Sequence, residues 1–134
     1  MTTTTTATMR RTVSAFGPLQ IAITILVAVT ALVHLFLGVV LMSQGGAMIG
    51  RILAGLFICN FSGYVVLNAA LYLPVLRRFQ RVTRALLIGY AAVTIVAYFA
   101  IDQSNALNPI GLFDKAVEAA LIALLVIDGR RARA

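Results

Sequence analysis

The amino-acid sequence predicts an all-α protein, a four-transmembrane-helix bundle with antiparallel up-down-up-down topology. The 134 residues are 61% hydrophobic and only 11% charged, which leaves too few polar side chains to cover a soluble domain of this size. Four apolar segments follow one another along the chain, and each is long enough to cross most or all of a bilayer as a helix. The connections between them are short, which favours neighbouring antiparallel helices.

The four apolar segments differ in length. A helix rises ~1.5 Å per residue, so about 20 residues cross a hydrocarbon core of ~30 Å. The third and fourth segments are shorter, and we expect them to stand upright or to thin the bilayer. Helices are expected because lipid offers no partners to exposed backbone N–H and C=O groups. The predicted spans are about 19–42, 52–73, 85–101 and 110–127.

Prolines mark the ends of three predicted spans. Pro18 opens the first span, Pro74 follows the second, and Pro109 precedes the fourth. Proline is tolerated in the first turn of a helix but disrupts its interior, so these positions support the boundaries. The predicted organisation is a threonine-rich, disordered cytoplasmic segment at 1–17, a transmembrane domain at 18–128 and a basic cytoplasmic tail at 129–134.

The basic residues lie on one side of the predicted bundle. Nine of the eleven lysines and arginines precede the first span, occupy the second connection or follow the fourth span, and the exceptions are Arg51 and Lys115. Because lysine and arginine accumulate in cytoplasmic loops, we predict a multi-pass protein of a prokaryotic cytoplasmic membrane with both termini inside. The net charge of +7 is interpreted as a topological signal and a contact with the lipid bilayer. No nucleic-acid partner is predicted, because aromatic residues do not alternate with the basic ones.

Each predicted span carries polar residues, which are costly in a membrane and usually face the interior of a bundle. His34 lies eight residues before the outer end of the first span, and Asn60 lies eight residues after the start of the second. Thr94 lies seven residues before the end of the third span, and Glu118 lies eight residues after the start of the fourth. At ~1.5 Å per residue, all four would lie ~10–12 Å below the outer surface. The sequence therefore predicts one polar layer in the outer half of the bundle.

Three further residues, Tyr98, Asp114 and Lys115, are predicted to lie just outside this layer. Lys115 and Glu118 are three apart on one helix and can form an ion pair, while Asp114 can share the ammonium group. One carboxylate then lacks a countercharge, and His34 is its candidate partner from another helix. Two interpretations stay open: packing contacts that fix the helix register, or a site that binds or moves a proton, an ion or a small polar ligand.

Sequence motifs for catalysis are absent. The chain has no Ser–His–Asp arrangement, no H-E-x-x-H and no phosphate-binding glycine motif, so we predict no enzymatic activity and leave any cofactor unknown. His34, Asp114 and Glu118 offer metal-ligand types but no diagnostic spacing, so no metal is predicted. Haem ligation by His34 alone would be one-sided, and a bis-histidine site would need a homodimer. An electron-transfer accessory with quinone or interprotomer haem is therefore a third option.

Small residues suggest close helix packing. Gly55, Cys59 and Gly63 follow one another at intervals of four on the second predicted helix, and Gly38 lies on the first. Such patterns let helices approach within a bundle or between protomers. Together with the short connections, they favour a non-enzymatic accessory or assembly subunit, acting as a homo-oligomer or within a larger membrane complex.

Two short strings carry a family resemblance. HLFLG at 34–38 and DKAVE at 114–118 resemble the H-L-x-L-G and D-K-x-x-(Q/E) strings of small uncharacterised four-helix membrane proteins common in haloarchaea. The resemblance covers roughly 18–128 and implies a fold but no activity. Where relatives carry Gln, this chain has Glu118. The layout is more distantly similar to DoxX-type four-helix proteins, whose redox associations are not implied because no diagnostic motif matches.

Overall fold

The computed structural model describes residues 17–101 and 107–133, and these residues are almost entirely helical. No strand occurs in this part of the chain, so the predicted all-α class with four helices is confirmed. The predicted threonine-rich segment lies outside the described residues except for Gly17. The α-helices are α1 (Pro18–Ser43), α2 (Met48–Tyr72), α3 (Gln80–Ile101) and α4 (Pro109–Arg131), and a 3-10 helix at Pro74–Phe79 leads directly into α3.

The helix ends have local causes. Pro18 and Pro109 each occupy the first turn of their helix, where a missing N–H group costs nothing. The side chain of Asn108 accepts a hydrogen bond from the Ile110 backbone N–H at 2.9 Å and so caps α4. Leu73 is extended, as expected before Pro74, and this residue ends α2. The prolines therefore set the boundaries that the sequence predicts.

Within the described residues, three helical segments are long and apolar enough to cross a membrane: Pro18–Ser43, Met48–Tyr72 and Pro74–Ile101. The third is longer than its predicted span because the helix extends back through the arginine-containing turns before Ala85. The fourth helix has 23 residues, but it carries Asp114, Lys115 and Glu118, whose charges lower its hydropathy. All three of these side chains are buried inside the bundle.

The four helices form a ring in which each helix packs against two others. α1 contacts α2 and α4, and α3 contacts α2 and α4. Among the described residues, the backbones of the diagonal pairs α1/α3 and α2/α4 do not approach each other. The α1–α2 contact is close at Gly38, where a Cβ atom would lie 2.9 Å from Ile58 and 3.1 Å from the Ala54 carbonyl oxygen.

The interior of the ring has an apolar part and a polar part. The apolar part lies toward the start of α1 and the end of α4 and fills with aliphatic side chains. Large apolar side chains such as Ile25, Leu32 and Val96 are exposed on the outside of the ring, as expected for a surface that meets lipid. The larger aliphatic residues of this buried cluster are Ile23, Val27, Leu71, Leu87, Leu121 and Leu125.

Candidate functional site

Polar side chains from all four helices meet inside the bundle and form what we call the polar cluster. Thr30, Tyr64 and Glu118 have no exposed surface, and His34 and Asp114 are only 3% exposed. Buried polar groups of this kind need partners, because desolvation without a hydrogen bond is costly. The polar cluster consists of Thr30 and His34 on α1, Tyr64 on α2, Thr94 on α3, and Asp114, Lys115 and Glu118 on α4.

The charged part of the polar cluster lies within one turn of α4. The Lys115 ammonium group is 2.9 Å from Asp114 Oδ2 and donates to Glu118 Oε2 at 2.7 Å. One cation is thus shared between two carboxylates, as the positions of Asp114 and Glu118, one residue before and three residues after Lys115, allow. The three groups together carry one uncompensated negative charge when both carboxylates are ionised.

α1 supplies further partners of the two carboxylates. The Thr30 hydroxyl donates to Asp114 Oδ1 at 2.7 Å and lies 3.3 Å from Glu118 Oε1. His34 Nδ1 lies 2.8 Å from the backbone carbonyl oxygen of Thr30. A carbonyl oxygen can only accept, so Nδ1 carries the hydrogen in this contact. The other ring nitrogen, Nε2, lies 3.8 Å from Asp114 Oδ2.

α2 and α3 complete the polar cluster through hydroxyl groups. The Tyr64 hydroxyl donates to Glu118 Oε1 at 2.7 Å, and it lies 3.2 Å from the Thr94 hydroxyl. Thr94 also donates to the Ala91 carbonyl oxygen at 2.8 Å. A series of short polar contacts therefore runs from α3 through Tyr64 and Glu118 to Lys115.

Aromatic rings surround the charged groups. The rings of Phe57 and Tyr64 lie 5.7 and 5.8 Å from the His34 ring, centroid to centroid. Tyr90 packs edge-on against Tyr64 at 5.1 Å. Lys115 Nζ lies 5.7 Å from the centroid of the Tyr98 ring, within the range of a cation–π contact. These rings limit the access of water to His34 and Lys115.

The structure brings together most of the residues predicted for the polar layer. His34, Asp114, Lys115 and Glu118 lie in direct contact, and Thr94 joins them through Tyr64. Tyr98 contributes its ring face to Lys115. Asn60 has a different role: its side chain is half-buried, and its backbone carbonyl accepts a hydrogen bond from Tyr90 at 3.4 Å.

Depth in the membrane, counted from the ends of the spans, does not predict that Thr30 and Tyr64 belong to the polar layer. The helical spacing nevertheless points to both residues. Thr30 lies four residues before His34 and Tyr64 lies four residues after Asn60, so each shares a helix face with a selected residue. Tyr64 is one turn further from the start of α2 than Asn60. Its longer side chain reaches across the diagonal of the ring to Glu118, which the shorter asparagine side chain could not do.

The small residues divide into two groups. Gly38 and Gly63 are packed, and the Tyr90 hydroxyl group lies directly against Gly63. Gly55 has open space where a Cβ atom would be, and Cys59 is exposed. The predicted packing role within the bundle therefore applies to the first pair, while the second pair faces outward.

Three potential metal ligands lie close together in the polar cluster. One ligand atom from each of His34, Asp114 and Glu118 lies within 4.8 Å of the others. The Lys115 ammonium group already contacts both carboxylates, so a metal ion would have to displace it or accept its repulsion. The charge of the polar cluster therefore suits a proton better than a divalent cation.

Comparison with known proteins assigns neither a family nor a function to this chain. No family model, no curated protein and no solved structure matches this chain. The resemblance to haloarchaeal four-helix membrane proteins stays a prediction from two short motifs. The resemblance to DoxX-type proteins stays a prediction from the helix layout. The function must therefore be argued from the polar cluster itself.

Proposed function

We propose that this protein is a multi-pass membrane protein that binds a proton in the polar cluster, with His34 as the acceptor. The observation that carries the proposal is the orientation of the His34 ring. Nδ1 donates to the Thr30 carbonyl oxygen, while Nε2 faces the Asp114 carboxylate at 3.8 Å.

The charge balance of the polar cluster favours one additional proton. Lys115 carries one positive charge, whereas Asp114 and Glu118 carry two negative charges. Buried net charge is expensive inside a membrane protein, and such charges are normally compensated. Protonation of His34 brings the sum to zero without breaking the contacts of Lys115.

The geometry around His34 favours Nε2 as the atom that accepts the proton. In the neutral ring with Nδ1 protonated, Nε2 presents a lone pair toward Asp114 Oδ2, so two acceptors face each other. A proton on Nε2 converts this contact into an attraction between imidazolium and carboxylate. The groups around His34 are Thr30 on its own helix, Phe57 and Tyr64 on α2, and the charged turn of α4.

A single histidine makes the test direct, because the chain contains no other. Protein labelled with ¹⁵N-histidine and placed in lipid nanodiscs gives one pair of imidazole signals. We expect Nδ1 to stay protonated throughout, and Nε2 to carry the proton that His34 accepts. An Nε2 signal that does not change, or an Nδ1 that loses its proton first, would contradict the proposal.

Proton movement across the membrane requires a separate measurement. Liposomes with an internal pH-sensitive dye and an imposed potassium diffusion potential report proton flux. Flux above that of the His34→Gln protein would indicate translocation. Equal flux would limit the function to proton binding, for example as a pH-sensitive subunit of a complex.

A second candidate function is a non-enzymatic accessory or assembly subunit, and the outward small residues favour it. Gly55 and Cys59 leave open space on α2, and alanines lie on the exposed face of α4. Small outward residues let another transmembrane helix approach closely. The exposed alanines of α4 are Ala116, Ala119, Ala120 and Ala123.

Association can be tested with Cys59, because the chain has no other cysteine. Oxidation in membranes would link two copies that meet along this face of α2. Purification in native lipid particles, followed by mass spectrometry, would detect other subunits. Recovery of isolated monomers only, without any Cys59 cross-link, would contradict this candidate.

The proposal includes the up-down-up-down topology, with both termini on the cytoplasmic side of a prokaryotic membrane. Contacts between the ends of successive helices support antiparallel neighbours: Gln80 at the start of α3 contacts Leu71 near the end of α2. Arg84 near the start of α3 contacts Asp128 near the end of α4. Cysteines added at each terminus of a Cys59→Ser protein should both resist an impermeant maleimide applied outside the cell. Labelling of one terminus would exclude this topology.

The electron-transfer option gains no support from the polar cluster. Haem bound by His34 would have to replace the Nε2–Asp114 contact inside the bundle, whereas an interprotomer haem needs a ligand that faces outward. The visible absorbance spectrum of the purified protein tests this option.

A further inference from the structure

A second charged region lies at the opposite end of the bundle from the polar cluster. The start of α3 and the end of α4 enclose a cleft of about 230 Å³. We call it the arginine cleft. Its lining contains four basic residues, Arg81, Arg84, Arg130 and Arg133, together with Ala85, Ile88, Leu125, Val126 and Gly129.

The charge of the arginine cleft is strongly unbalanced. Arg84 is buried and is neutralised by Asp128, whose Oδ2 accepts from both Nε and Nη2 at 3.1 and 2.6 Å. Gly129 makes room for this contact, since a Cβ atom there would lie 3.1 Å from Arg84 Cδ. The other three arginines of the cleft have no acidic side chain beside them in the lining. Three positive charges thus converge on one small space.

The shape of the arginine cleft indicates an amphipathic ligand. Guanidinium groups bind phosphate oxygens through charge-assisted hydrogen bonds. Ile88 and Val126 in the same lining are apolar, and exposed apolar side chains such as Leu86 and Val93 lie on the outside of α3. Pockets for whole drug-sized ligands occupy roughly 300–1,000 Å³, so this smaller cleft suits a headgroup whose attached chains lie along the bundle.

We infer that the arginine cleft binds the phosphate of an anionic glycerophospholipid between Arg81, Arg130 and Arg133, with the acyl chains on the apolar outside of α3. Basic pockets between transmembrane helices are suited to anionic headgroups. The inference requires the chain to lie in a membrane but does not depend on proton binding at His34.

The experiment compares two triple variants that remove the same charge. The first triple variant removes the positive charges of the cleft arginines other than Arg84: Arg81→Gln, Arg130→Gln and Arg133→Gln. Arg77→Gln, Arg78→Gln and Arg131→Gln remove three exposed arginines from the same end of the bundle but outside the cleft. Native mass spectrometry of detergent-solubilised protein measures the affinity for phosphatidylglycerol, with zwitterionic phosphatidylcholine as the comparison lipid.

A basic side chain close to an anionic headgroup contributes about fivefold to binding, and only the cleft arginines would contact the bound phosphate, so we expect the cleft variant to bind phosphatidylglycerol about 100-fold more weakly. The control triple variant should retain tight binding, and phosphatidylcholine should bind weakly to every form. Equal losses in both triple variants, or equal binding of the two lipids, would overturn the inference. Displacement of phosphatidylglycerol by inorganic phosphate would assign the cleft to a soluble phosphate instead.

A smaller change guards against loss of folding in the triple variant. Arg130→Gln and Arg131→Gln alter adjacent residues, of which only the first lines the cleft. We expect about fivefold weaker binding for the first and no change for the second. Identical affinities would contradict a defined site.

Discussion

Tyr64 on α2 donates a 2.7 Å hydrogen bond to Glu118 on α4, although the backbones of these two helices do not pack against each other. This contact crosses the diagonal of the ring. From α1, Thr30 donates to Asp114 and lies 3.3 Å from Glu118, and Thr94 reaches Tyr64 from α3. Side chains of the polar cluster therefore connect all four helices, so the same residues can fix the helix register and hold a proton.

Removal of the Tyr64 hydroxyl should destabilise the protein. In Tyr64→Phe, Glu118 loses a buried donor while the ring is retained. A hydrogen bond to a charged group contributes about 1.5–3 kcal/mol, so we expect the free energy of unfolding to fall by that amount. Reversible unfolding in mixed detergent–SDS micelles measures it.

Tyr90→Phe is the matched control for this change. Its ring packs against Tyr64, but its hydroxyl makes only a 3.4 Å contact with the Asn60 carbonyl oxygen. We expect a loss below about 1 kcal/mol. Similar losses of stability in the two variants would contradict a particular contribution from the Tyr64–Glu118 hydrogen bond.

Removal of the Lys115 ammonium group should be more damaging. In Lys115→Met, Asp114 and Glu118 share a buried turn without their cation. Removing one partner of a buried ion pair typically costs about 3–5 kcal/mol. We expect the free energy of unfolding to fall by that amount. The same micelle experiment measures it.

Neutralising Glu118 should rescue the Lys115 variant. In the Lys115→Met, Glu118→Gln double variant, a single carboxylate remains, and protonated His34 can balance it. We expect the double variant to be more stable than the sum of the single changes predicts, with a coupling of about 1–3 kcal/mol. Strictly additive losses would contradict a shared charge balance.

Glu118→Gln alone should change the protonation of His34. With Glu118 neutral, Lys115 and Asp114 balance each other, so an added proton would create buried positive charge. We expect ¹⁵N spectra, recorded under identical conditions, to show a smaller protonated fraction of Nε2 than in the unmodified protein. Asp128→Asn removes a carboxylate from α4 outside the polar cluster and should leave the His34 spectrum unchanged. An unaltered spectrum in Glu118→Gln would refute the proposed charge balance.

Close packing at Gly38 gives a prediction that does not involve charge. A Cβ atom at Gly38 would press on Ile58 and the Ala54 carbonyl, whereas one at Gly55 would meet open space. We expect Gly38→Ala to lower the free energy of unfolding by about 1–3 kcal/mol. Gly55→Ala should raise it by up to about 1 kcal/mol, because alanine favours the helix. Equal effects at both positions would contradict the packing described for α1 and α2.

Much of the fold was predictable because its causes are local. Apolar segments of membrane length and the prolines at 18, 74 and 109 determine the number and the ends of the helices. The i, i+4 spacing placed His34 and Thr30 on one face of α1, and the charges of α4 pointed to an ion cluster before any contact was known. The largest boundary difference is at the third span, where helix continues through arginine-rich turns that apolarity alone does not detect.

The amino-acid sequence by itself determined four helices, the position of each charge along them and the residues that share a helix face. The tertiary structure decided which face turns inward: Tyr64 rather than Asn60 meets Glu118, Gly38 and Gly63 are packed, and Gly55 and Cys59 face outward. The reason is physical. Lipid and a bundle interior are similarly apolar, so hydrophobicity does not orient a helix in a membrane. Orientation follows from hydrogen bonds and close packing between particular side chains, which exist only once the helices are assembled.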